Sequence, residues 1–139
     1  MTFETAPVRP PLSFWTIAGL GLAWNMFGAY LYMLSKIDPE AALQGVTPAM
    51  RDYVAAMPLW AHLGWSLGIW GSVLGSVLML ARSRHATGAF MVSLIGALAS
   101  FAAQAMAGVL ETGLAATIIA VIAFLWWFCR KEAGNGSLR

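Results

Sequence analysis

Long apolar runs alternate with short polar segments along the chain. The first run, residues 12–34, contains no charge and would rise about 34 Å as a helix, enough to cross the hydrocarbon core of a membrane. The second run, residues 58–81, is followed by a tight turn at residues 82–85. The third, residues 86–129, would be about 66 Å long as one helix, so it must fold back. We predict that this reversal occurs at Gly108.

This pattern predicts an all-α integral membrane bundle that forms a single domain over residues 1–139. The four predicted transmembrane helices cover about residues 12–34, 58–81, 86–105 and 110–129. In the connector between the first two, Thr47 followed by Pro48 is a typical helix start, and apolar residues then recur at helical spacing. We expect a short amphipathic surface helix in this first outer loop; an irregular loop is the alternative.

The distribution of basic residues predicts the orientation of the spans. Six of the eight Lys and Arg residues lie on the side of the bundle that carries the termini, and only Lys36 and Arg51 lie on the other side. Because basic residues accumulate on the cytoplasmic side, both termini are predicted to be cytoplasmic. In a bacterium this corresponds to a multi-pass protein of the inner (plasma) membrane.

Composition and side-chain chemistry narrow the functional classes. Hydrophobic residues make up 60% of the chain and charged residues 10%, against about 25% charged in soluble domains. The net charge of +2 is too small to indicate a nucleic-acid surface, and one cysteine allows no internal disulfide. His62 and His85 stand at opposite ends of one span, so they cannot share a metal. We therefore expect no enzyme activity, no metal and no cofactor.

Small residues indicate where helices pack. They recur at spacings of three or four within the second and third spans, and Gly21 and Gly28 share one face of the first; such faces let helix backbones approach closely in lipid. Such faces can join helices of one chain or of two chains; we favour packing within the chain. The predicted packing residues are Gly21, Gly28, Gly64, Gly68, Ser72 and Gly96.

Polar and aromatic side chains cluster in the outer half of the predicted spans. Intramembrane polar groups are costly unless they meet one another or water, and they mark functional sites by default. We therefore predict an outward-facing recess that is either a ligand site or only a hydrogen-bonded seam between helices. Its predicted lining is Asn25, Tyr32, His62, Trp65, Gln104 and Glu111.

Several segments resemble those of small four-span bacterial membrane proteins. The resemblance covers roughly residues 14–104 and is carried by residues 24–30 (WNMFGAY), 57–60 (MPLW), 65–71 (WSLGIWG), 80–86 (LARSRHA) and 90–94 (FMVSL). Those proteins are mostly uncharacterised, and some carry an automatic sugar-transporter name. The resemblance implies the four-span fold and an expectation of transport, but no functional residue.

Two functions are compatible with this composition, side-chain chemistry and resemblance. The first is a membrane binding or accessory protein, without catalytic groups, that helps to assemble or regulate a larger complex. The second is a small-solute transporter, with sugar as one candidate, that works as an oligomer. The expected partners are the lipid bilayer and either further copies of the chain or the subunits of a larger membrane complex, with no nucleic acid.

Overall fold

The computed structural model describes residues 6–139, and all its regular secondary structure over this range is helical, which confirms the predicted all-α class. Four of its helices are long and apolar enough to cross a membrane, with mean hydropathies from 1.3 to 2.1. Two short helices lie in the connector between the first and second of them. The six helices are α1 (Leu12–Ile37), α2 (Pro39–Ala42), α3 (Pro48–Ala55), α4 (Leu59–Leu80), α5 (Ala86–Met106) and α6 (Thr112–Gly134).

Two long helices extend beyond the ends of the predicted spans. Helix α1 continues past residue 34 to Ile37, and α6 continues past residue 129 to Gly134. The apolar pattern marks the part of a helix that suits lipid, whereas backbone hydrogen bonding continues through any residue that tolerates helical geometry. The extension of α1 places Lys36 in its last turn.

The connector contains both a predicted and an unpredicted helix. Helix α3 begins as predicted at Pro48, with Thr47 Oγ1 accepting a hydrogen bond from the backbone N–H of Met50 at 3.3 Å. Helix α2 is a single turn that was not predicted; Asp38 caps it by accepting from the N–H of Ala41 at 3.1 Å. Tyr53 in α3 is half-buried, and this burial raises the pKa of its phenol.

The four long helices run alternately up and down. We call the end where α1 begins and α6 finishes the terminal end, and the opposite end, which carries α2 and α3, the connector end. Helix α4 packs against α5 and α1, and α6 packs against α5. At the terminal end α1 also meets α6, where the Phe14 and Phe128 rings stack with their centroids 6.3 Å apart.

The closest approach in the bundle is between the backbones of α4 and α5. A Cβ atom added to Gly96 would lie 2.7 Å from the carbonyl oxygen of Gly64 and 2.8 Å from the backbone nitrogen of Gly68. On the same face of α4, a Cβ at Gly71 would lie 3.1 Å from Ser93. Only residues without a side chain allow these backbones to come so close.

The other predicted packing glycines make looser contacts. A Cβ at Gly21 would lie 3.1 Å from the Leu125 side chain of α6, and one at Gly28 would lie 3.5 Å from Ile69 of α4. Both neighbours are flexible side chains, so these positions matter less than Gly96. The turn between α5 and α6 occurs at the predicted residue, since Gly108 has a φ of 72°, a conformation that favours glycine.

The last residues of the chain pack against the turn between α4 and α5. The N–H of Arg139 donates to the carbonyl of Arg82 at 2.7 Å, and the N–H of Arg84 donates to the carbonyl of Arg139 at 2.9 Å. The Arg82 guanidinium donates to the carbonyls of Ser137 at 2.9 Å and Val8 at 2.8 Å. These bonds connect three segments at the terminal end.

Substitution of Gly96 by alanine tests the α4–α5 contact. The added methyl would meet the Gly64 carbonyl and the Gly68 nitrogen, so Gly96→Ala should lower the free energy of unfolding by about 1–3 kcal/mol. Thermal unfolding in detergent measures the change. The matched control is Gly88→Ala in the same helix, where an added Cβ meets nothing within 4 Å and the melting temperature should stay equal or rise slightly. Equal effects at the two positions would contradict the close packing.

Candidate functional site

Asn25 lies near the middle of α1 and is buried against α4. Its Nδ2 donates one hydrogen bond to Ser76 Oγ at 2.8 Å and one to the carbonyl oxygen of Ser72 at 3.2 Å. A primary amide nitrogen carries two hydrogens, so both are used. The polar group at the middle of the first span therefore binds the neighbouring helix rather than facing open space.

The hydrogen bonds continue from α4 to α5. Ser72 Oγ and Ser93 Oγ are 2.6 Å apart, and Ser93 Oγ donates to the carbonyl oxygen of Gly68 at 2.6 Å. Because a hydroxyl has one hydrogen and that of Ser93 is donated to Gly68, Ser72 is the donor to Ser93. We call the connected groups of Asn25, Ser72, Ser76, Ser93 and Gly68 the polar seam. It links α1, α4 and α5.

Nearer the connector end, aromatic rings of α1 and α4 pack together. The ring centroid of Tyr32 lies 4.9 Å from that of Trp65, 6.0 Å from that of Trp70 and 6.3 Å from that of His62. The Trp65 plane is almost perpendicular to its neighbours, at 75° to Tyr32 and 89° to His62. We call these four side chains the aromatic cluster.

Lys36 completes this arrangement. Its Nζ lies 3.3 Å from His62 Nδ1, 5.2 Å from the centroid of Trp65 and 5.3 Å from that of Tyr32. An ammonium group can only donate, so His62 Nδ1 is the acceptor in this contact. Both ring distances are within the range of cation–π attraction, about 6 Å.

Four of the six residues predicted to line the outer recess belong to the two groups described above. Asn25 belongs to the polar seam, whereas Tyr32, His62 and Trp65 belong to the aromatic cluster, about 10 Å further along α1. Gln104 is half-buried near the end of α5, and Glu111 is exposed just before α6. Within residues 6–139 no side-chain hydrogen bond connects either of these two to the cluster. Ligand binding by these residues stays a prediction.

Sequence reasoning missed four members of these groups, which are Lys36, Trp70, Ser76 and Ser93. Lys36 was assigned to the connector because the apolar run stops at Leu34, although it stands four residues after Tyr32 and so shares its helix face. Ser76 and Ser93 lie on helix faces that the sequence marks only by small residues. The signal for Ser76 was its position on the glycine-rich face of α4, but that face alone does not indicate which side chain of α1 it meets.

Two surface cavities lie elsewhere in the bundle. An apolar groove of about 560 Å³ separates α1 from α6, with Leu20 and Trp24 on one wall and Ala120 and Phe124 on the other. A cavity of about 300 Å³ at the terminal end is lined by Ala81, Arg82, Ser83 and Arg139. Neither contains a residue of the predicted recess. In the described part of the chain, no group of three His, Cys, Asp or Glu residues is placed to hold a metal ion.

Comparison of the chain with models of protein families, with curated proteins and with solved structures gave no match. The class of protein is therefore inferred from the helices of this chain alone. The fold defines a multi-pass helical membrane protein with four candidate spans.

A double-mutant cycle tests the polar seam. Asn25→Ala and Ser76→Ala remove the two ends of one buried interhelical hydrogen bond, so their effects on the free energy of unfolding should be coupled by about 0.6–1.7 kcal/mol. Unfolding in detergent measures each variant and the double variant. Asn25→Ala combined with Thr117→Ala is the control, since Thr117 Oγ1 bonds only within its own helix. Additive effects in the Asn25 and Ser76 cycle would contradict the bond.

Proposed function

We propose that this protein is a non-catalytic accessory or assembly subunit of a membrane complex. The observation that carries the proposal is the polar seam: the polar side chain at the middle of α1 is occupied by hydrogen bonds to α4, which in turn is bonded to α5. A substrate site at the membrane midplane needs polar groups that face a cavity. Here those groups hold helices together, as expected for a subunit that contributes a stable helical bundle to a complex.

The outer surface of α1 and α6 suits contact with a partner. The groove between these helices is almost entirely apolar and has Trp24 and Phe124, both exposed, at its sides. A concave apolar surface can receive a ridge of side chains from another transmembrane helix. Lipid chains, a second copy of this protein or a foreign subunit are the proposed neighbours of this surface.

The proposal includes a location in the inner membrane of a bacterium, with both termini in the cytoplasm. Its support is the excess of basic residues at the terminal end, where Arg82 and Arg84 join Arg130 and Lys131 near the end of α6. The resemblance to small four-span bacterial proteins agrees with this location. We also propose that the chain is related to that group, on the sequence motifs that carry the resemblance.

Transport of a small solute, such as a sugar, by an oligomer is the second candidate. The aromatic cluster favours it, because Tyr32 and Trp65 meet at the connector end beside the partly exposed His62, and aromatic rings with polar neighbours suit a sugar-like ligand. A bundle of four spans is narrow, so a path through the membrane would require more than one copy. The two candidates differ in what accompanies the chain in the membrane.

Single-cysteine labelling tests the orientation. In a Cys129→Ser background, Gln44→Cys places a thiol in the exposed turn after α2, and Gly134→Cys places one at the end of α6, where an added side chain meets nothing. An impermeant maleimide applied to intact cells should label the thiol at position 44, and should label that at position 134 only after permeabilisation. The reverse pattern would contradict cytoplasmic termini.

Purification from native membrane in mild detergent tests the accessory role. An affinity tag inserted at the exposed turn of Gln44 and Gly45 leaves the packed terminal end undisturbed. We expect a foreign subunit in fixed stoichiometry with this chain, quantified by mass spectrometry. A homo-oligomer without a foreign subunit would contradict the accessory role and support the transporter.

A further inference from the structure

Lys36 is held by the aromatic cluster in the way a cationic ligand would be. Its ammonium group lies against the faces of Tyr32 and Trp65, at 5.3 Å and 5.2 Å from their centroids, and beside the Nδ1 atom of His62 at 3.3 Å. The Trp65 plane stands nearly perpendicular to both other rings. The three rings thus form a corner that offers a cation two π faces and one hydrogen-bond acceptor.

We propose that this corner of Tyr32, His62 and Trp65 is a binding site for a primary organic ammonium group, which Lys36 fills until a ligand displaces it. A primary ammonium can use both π faces and also donate to His62 Nδ1. A quaternary ammonium could use the π faces alone, because it has no N–H to donate. His62 Nδ1, as a hydrogen-bond acceptor, therefore favours a primary over a quaternary ammonium group.

The position of Lys36 allows the exchange. It is the last residue but one of α1, and its side chain is exposed, so it can leave the corner without opening the bundle. Its flexible stem carries a compact charge on four methylene groups. Cation–π contacts at such an exposed site are weak enough for a ligand of the same chemistry to compete.

The corner lies near the ends of two apolar spans, in the last two turns of α1 and the first two turns of α4. Ammonium groups reach such a place either as soluble amines or as the headgroup of an aminophospholipid. A displaced Lys36 would remain close enough to pair with the phosphate of such a lipid. This site does not depend on the accessory role, and either proposal can fail without the other.

Chemical rescue of Lys36→Ala tests the site. Removal of the lysine side chain should empty the corner and lower the melting temperature, and ethylammonium chloride should then raise it by about 4 °C over sodium chloride of equal ionic strength. The unsubstituted protein should respond less, because its own lysine competes. If Lys36→Ala is not recovered folded, Lys36→Gln, which keeps part of the stem without the charge, replaces it.

Three further variants separate this site from general salt effects. Lys36→Ala combined with Trp65→Leu should lose the response, since one wall of the corner is gone. Lys131→Ala is the matched control, because Lys131 Nζ lies over the single ring of Trp127 at 5.6 Å. Lys36→Ala combined with His62→Phe keeps an aromatic wall but removes the acceptor, so tetramethylammonium should now stabilise at least as well as ethylammonium.

Nanodiscs of defined lipid distinguish the two sources of the ammonium group. If the ligand is a headgroup, Lys36→Ala should melt higher in phosphatidylethanolamine than in phosphatidylglycerol and should respond to ethylammonium only in the latter. If the ligand is a soluble amine, Lys36→Ala should respond to ethylammonium equally in the two lipids. Failure of Lys36→Ala to respond to either source, or an equal response from Lys131→Ala, would overturn the proposal.

Discussion

The close approach of the α4 and α5 backbones is the constraint on which the rest of the bundle depends. A Cβ atom at Gly96 would come within 2.7 Å of the Gly64 carbonyl, so the two helices are as near as their main chains permit. Serine side chains are short, and Ser93 reaches Gly68 and Ser72 only because the helices are this close. A larger residue at the contact would separate the helices and break those bonds. The close packing and the polar seam are therefore one feature.

This dependence follows from the membrane as a solvent. Lipid chains are as apolar as leucine, so burial of apolar side chains gives little drive for helices to associate, and packing with interhelical hydrogen bonds takes its place. The glycines of α4 provide the packing and the serines provide the bonds, on one helix face. Asn25 joins α1 to this pair by donating to Ser72 and Ser76. Helices α1, α4 and α5 are thus fixed to one another by groups that would be costly to expose to lipid.

The sequence predicts the helices and their glycine-rich contact faces, but not which polar side chains meet across those faces. Hydropathy and length suffice to predict four transmembrane helices. An apolar stretch of 44 residues is too long for one span and must reverse direction, which predicts the turn at Gly108. Depth in the membrane also follows from counting residues. Depth does not tell which way a side chain points around the bundle axis, so it does not predict that Asn25 meets Ser72 and Ser76 of α4. Lys36 was missed for a different reason, since hydropathy ends a span where charge begins, although the helix continues.

The rotation of α1 connects the polar seam to the aromatic cluster. Tyr32 and Lys36 follow Asn25 by seven and eleven residues, which at 100° per residue puts all three within about 20° of one helix face. Phe14 and Ala18, eleven and seven residues before Asn25, are buried on that face too. The hydrogen bonds of Asn25 to α4 therefore set the direction of the whole face. They aim Tyr32 and Lys36 at His62 and Trp65, so the geometry of the aromatic corner is fixed from the middle of the membrane.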